Sequence, residues 1–152
     1  MFYLAFVTSL AASIFLAVGL KLLNLFHFIK WNPVGYAEKW GVLEQSHGLV
    51  RWFFLLIVLF IILFILYLIM QYVALVPPFV TSLVIGGVIA LLAEWIIKDL
   101  PAELSSFKKL SIPFIVTVIM TSRFVFETAT YHFKAAHFEK RNKLPYKDTV
   151  IK

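Results

Sequence analysis

The sequence predicts an all-α polytopic membrane protein, a four-helix transmembrane bundle with a short interfacial helix between spans 1 and 2. Three observations point there. Apolar residues make up 62% of the 152-residue chain and charged residues only 14%, with a mean hydropathy of +0.92. A soluble domain carries about 25% charged and 45–50% apolar residues, and a chain this short cannot bury so much apolar surface in one core. The apolar residues also collect in runs, four of which approach the roughly 20 residues needed to cross a bilayer. Finally, a double proline, Pro77-Pro78, breaks what would otherwise be one very long apolar segment. The whole chain reads as a single transmembrane domain, 1–152, with a basic tail at 131–152.

The first span is expected at about 2–23 and is interrupted only by Lys21. No basic residue precedes it, and its apolar run is longer than that of a typical cleaved signal, so it is expected to be retained. The segment that follows is too polar to span. Asn32-Pro33-Val34-Gly35 is a turn signal. Beyond it Tyr36, Trp40, Leu43 and His47 recur at helical spacing, which suits a short helix in the headgroup region with Trp31, Trp40 and Trp52 as interface anchors.

The second span, 52–75, contains no charge. Pro78 lacks an amide proton and its ring pushes Pro77 out of helical geometry, so spans two and three are expected to form a tight hairpin. The third span, 79–97, holds one charge, Glu94. The fourth, 110–128, is the weakest because Arg123 and Glu127 fall in its last two turns, and a re-entrant segment is the alternative there. The tail is expected to start as a helical extension and to fray beyond Pro145.

The formal net charge is +6, but the basic residues flank apolar segments. Anionic lipid headgroups at the basic tail are therefore the expected partners, rather than nucleic acid. The absence of cysteine excludes disulfides and thiolate catalysis. No lipidation signal is recognisable at either end. Six basic residues on the tail side face seven on the side of the two longer loops, so the positive-inside rule leaves orientation nearly balanced, and the dense tail tips it towards a cytoplasmic tail. The Ile/Phe/Lys-rich composition has the style of a small plasma-membrane protein of a Gram-positive bacterium.

In lipid, helices associate through small residues that allow close approach. Two spans carry such residues at every fourth position. The first reads Ala5, Ser9, Ser13, Ala17 and ends in Lys21; the third reads Ser82, Gly86, Ala90 and ends in Glu94. Spans one and three run in the same direction, so the sequence leads to the expectation that these stripes pack together and that Lys21 pairs with Glu94. Pairing would offset a mid-bilayer cost of roughly 2.5–3.5 kcal/mol per charge; the alternative is that both side chains reach out to the headgroups. Arg123 and Glu127, four apart, share a face and are expected to form an ion pair, with nearby threonines satisfied by their own backbone.

Glu44-Gln45-Ser46-His47 has the Glu-x-x-His spacing of a di-iron element, but such a site needs two copies and two further glutamates. No metal or other cofactor is expected. No phosphate-binding glycine loop, nucleophile elbow or zinc-protease signature is present, so no enzyme is expected. Small four-span multidrug exporters keep a glutamate in the middle of their first helix, and this chain has none there. The leading expectation is an accessory or regulatory subunit that binds another membrane protein or itself. The alternative is a homo-oligomeric transporter or channel with a polar path at Glu94, Arg123 and Glu127.

Overall fold

A computed structural model describes residues 2–35, 41, 47–72, 76–99 and 110–142, except for the side chains of 71, 72 and 139–142. The described residues are all helical or irregular, with no strand among them. Helix α1 is Phe2–Leu25 and α2 is Gly48–Tyr72. Helix α3 is Pro78–Lys98, with a π-helical turn at Ser82–Gly86 inside it, and α4 is Ile112–Asn142. Each contains a stretch long and apolar enough to cross a membrane, which suggests a multi-pass membrane protein. The outer faces agree: Phe53, Ile57, Ile61, Ile65 and Ile69 of α2 are all exposed, a continuous apolar stripe of the kind that marks a lipid- or protein-facing surface.

The ends follow local chemistry. After α1, the Phe28 amide donates to the Leu23 carbonyl and the His27 amide to that of Asn24, while His27 takes φ 58°. These are the paired bonds of a Schellman stop, with a histidine where glycine is usual. The chain reverses, Ile29 is buried, and the Asn24 side chain donates to the Trp31 carbonyl. Asn32 then accepts the Val34 amide on its side chain and the Gly35 amide on its carbonyl, forming the expected turn. The expected interfacial helix, including Trp40 and the Glu44-to-Ser46 residues, falls largely outside the described residues. The His47 carbonyl accepts the first amide bonds of α2.

Helix α3 starts one residue before the span expected at 79–97. Pro77 is extended (φ −55°, ψ 129°) and Pro78 is the first helical residue, a position that needs no amide proton. The helix stops at Asp99, which is left-handed at φ 48°. The segment expected to be weakest is the longest: α4 has 31 residues, about 46 Å at 1.5 Å each.

Helix α4 is the centre of the bundle and packs against all three others, while α1 packs on α2 and α4. Its buried residues Phe114, Val118, Thr121, Ser122, Val125, Phe126, Ala129 and Thr130 recur at steps of three and four, so one broad face of the helix is covered. This overturns the expected pairing of helices one and three. Both small-residue stripes are buried, but α4 lies between them. A Cβ on Gly19 would meet the Thr117 methyl at 3.1 Å, and a Cβ on Gly86 would meet Ser122 at 2.9 Å. The expected hairpin is also looser than anticipated: α2 and α3 are consecutive in sequence yet do not pack along one another.

Candidate functional site

Glu94 is completely buried. Both its carboxylate oxygens accept the backbone N–H of Ser111, at 2.8 and 2.9 Å. Lys98, one turn further along α3, pairs with Oε1. Ser111 precedes α4, and its carbonyl accepts the Ile115 amide, so it stands at the N-cap. The carboxylate of a neighbouring helix thus satisfies the cap's own amide, a task that a glutamate inside the helix performs in a capping box. The Ser111 hydroxyl also donates to the Phe28 carbonyl at 3.3 Å. One residue therefore ties together the reversal after α1, the end of α3 and the start of α4.

Lys21 does not reach this junction. It is exposed, with its Nζ 6.0 Å from the Trp52 ring centre. The expected pairing of Lys21 with Glu94 is corrected accordingly: Glu94 takes its cation from its own helix. The reason is angular. Four residues overshoot a turn of 3.6 by about 40°, so the four steps from Ala5 to Lys21 accumulate about 160°. The buried face of α1 drifts through Ser9, Ser13 and Ala17 to Leu20 and leaves Lys21 outside. On α3 the π-helical turn takes up residues in a wider ring, and Ser82, Gly86, Ala90 and Glu94 all remain buried.

Arg123 and Glu127 are bonded, Nε to Oε1 at 2.7 Å, on the one face of α4 that its neighbours leave open. Their side chains are 46% and 47% exposed, and the guanidinium lies 5.4 Å from the Phe79 ring centre. From Ser111 to Arg123 is about 18 Å along the helix, so the bundle does not bring Glu94 together with Arg123 and Glu127. Between them Thr117 and Thr121 donate to carbonyls one turn back, as does Thr128 beyond. Ser13 is satisfied in the same way by Leu10, whereas the buried hydroxyl of Ser9 has no partner. Among the described residues no group of three His, Asp or Glu side chains could hold a metal ion.

A cavity that periodicity could not reveal lies between α2 and α3. It has a volume of about 320 Å³ and is walled by Leu55, Leu59 and Ile62 on one side and by Ile89 and Ala93 on the other. Phe114 and Val118 of α4 form its floor, with Leu16 and Leu20 of α1 behind. Trp31 and Pro33 close one end; the Trp31 ring stands edge-on to Phe114, and its Nε1 is buried without a hydrogen-bond partner. The sequence singled out Trp31 as an interface anchor, and only the Schellman reversal shows that it folds back over a cleft.

Comparison with known proteins finds no family model, no curated protein and no solved structure that matches this chain.

Proposed function

We propose that this chain is a multi-pass protein of a bacterial plasma membrane that works without catalysis, as an accessory or regulatory subunit binding a membrane partner. The observation that carries this reading is the outward Arg123–Glu127 pair. A half-exposed ion pair on a helix of this apolar character is poorly matched to hydrocarbon, and intramembrane ionisable groups are functional candidates by default. The pair sits level with Phe79, near the start of α3, where the side chains of a partner or the headgroup layer can meet it. Glu94 is already committed to Lys98 and Ser111, and its separation from the outward pair argues against one polar path through a single copy.

The test is extraction of the chain in a gentle detergent, with the proteins that accompany it identified against an Arg123→Leu/Glu127→Leu variant. A specific membrane protein that accompanies the wild type and is lost from the variant is the expected result. A chain that runs alone, with no membrane complex altered by its deletion, would sink the reading. Proteoliposome flux abolished by Glu127→Gln would favour the homo-oligomeric transporter instead.

A further inference from the structure

We infer that the open face of α4 docks on the same face of a second copy, forming a two-fold dimer in which Arg123 of each chain binds Glu127 of the other. The inference rests on the reading of the outward pair as a contact with a membrane partner, and it names that partner. Its first support is a stripe. Val116, Met120, Arg123, Phe124, Glu127 and Tyr131 are all exposed and fall within about 100° of arc on the helix. Helix α4 packs against all three other helices, so this stripe is the surface that the bundle leaves it.

The pair has bonding capacity left on both sides. Arg123 gives its Nε–H to its own Glu127 Oε1, and its guanidinium lies over Phe79. Its two terminal nitrogens, which are donors only, have no hydrogen-bond partner among the described residues, and neither does Glu127 Oε2. Donors are thus in excess on one side chain and an acceptor on the other. Charge-assisted hydrogen bonds are the strong ones, and polar bonds between helices help to hold transmembrane segments together.

A second copy supplies the complement. Copies inserted in the same orientation hold each residue at the same depth, so the two-fold axis lies along the membrane normal and the α4 helices run parallel. Each Arg123 head already stands beside the Glu127 carboxylate that it bonds. About the axis the four heads alternate Arg, Glu, Arg, Glu, and like charges fall on the diagonals. An unrelated protein would have to match both the spacing and the depth of the two charges; a copy has both already. Other charges do not upset the ring. None stands in the described first turn of α1, last turn of α2 or first turn of α3. Lys134 is the next charge on this face, exposed about 10 Å beyond Glu127, and its long stem lets the ammonium reach water.

The experiment uses the full chain in isolated membranes. The sequence has no cysteine, so a single introduced one reports its own contact. Met120→Cys stands mid-stripe, and oxidation with copper phenanthroline should link it to its counterpart, since a disulfide needs Cα atoms within about 7 Å. Ile61→Cys, exposed on α2, is the control and should link roughly tenfold less. Added to Met120→Cys, either Arg123→Glu or Glu127→Arg sets like charges across the axis and should lower linkage roughly tenfold. Co-expression of those two chains restores opposite charges and should return linkage between them. Arg123→Leu/Glu127→Leu should also lower linkage and serves if either reversal fails to reach the membrane. Linkage of Met120→Cys no greater than that of the control would overturn the dimer. Linkage indifferent to all three charge variants would overturn the exchanged ion pairs. A different membrane protein that accompanies the wild type and is lost from the leucine variant, with no linkage through Met120→Cys, would overturn the second copy and leave the docking face standing.

Discussion

On α1 the small residues Ala5, Ser9, Ser13 and Ala17 lead to a lysine that is exposed above Trp52; on α3 Ser82, Gly86 and Ala90 lead to a glutamate with no exposed surface. The spacing is the same in both, and both stripes face inward. The difference is local helix geometry. A regular α-helix carries a four-residue repeat round its axis by about 40° per step, and α1 is regular throughout. Helix α3 contains one wider turn, at the point where Gly86 lets Ser122 approach closely. Its charge stays on the packed side and becomes a structural bond, whereas the other becomes part of the surface.

Four substitutions would break or sharpen this comparison. Glu94→Ala should have the largest effect. It leaves the Ser111 amide without its acceptor and takes the carboxylate from beside Lys98, and loss of one member of a buried pair costs about 3–5 kcal/mol. Unfolding in a detergent titration should reveal this, and an unchanged midpoint would show that the junction does not hold the bundle. Gly86→Ala comes next. Its new Cβ would stand 2.9 Å from Ser122 and 3.4 Å from the Ile119 Cα, and overpacking of this kind costs about 1–3 kcal/mol. Thermal unfolding in micelles measures it, and recovery on adding Ser122→Gly would locate the clash.

Ser111→Ala should cost less, about 0.5–1.5 kcal/mol, because it removes the hydroxyl bond to Phe28 and leaves the amide bond to Glu94. A loss as large as that of Glu94→Ala would mean that the hydroxyl, not the carboxylate, is the main tie. Lys21→Gln should be smallest, within about 0.5 kcal/mol, with a change confined to Trp52 fluorescence. A large loss of stability there would contradict the contrast between the two stripes.

Much of this architecture was legible from composition and spacing. Four apolar runs, the break at Pro77-Pro78 and the turn at Asn32 all follow from single-residue chemistry. The inward stripes were legible too, and so was the bond from Arg123 to Glu127, because four-residue neighbours on a helix are fixed by its pitch. Which stripe met which helix was not. Spacing defines a face but names no partner, and α4 advertised itself least because Arg123 and Glu127 diluted its apolar run. Their place on its one open face explains how a central helix can carry two charges within its apolar stretch. The π-helical turn left no mark in the spacing, so the fates of Lys21 and Glu94 could not be told apart. The cleft was invisible for a related reason: leucines and isoleucines that line a gap read the same as those that fill one.

The length of α4 has a mechanical consequence. At about 46 Å it exceeds a hydrocarbon layer of about 30 Å, and its last sixteen residues, Glu127 to Asn142, account for about 24 Å of that length. Its other end is clamped at Ser111 by Glu94 and Phe28. By geometry alone, a tilt of 10° about that clamp would sweep the far end of a helix of this length through about 8 Å, so a small displacement at Glu94 and Phe28 is magnified at the basic end.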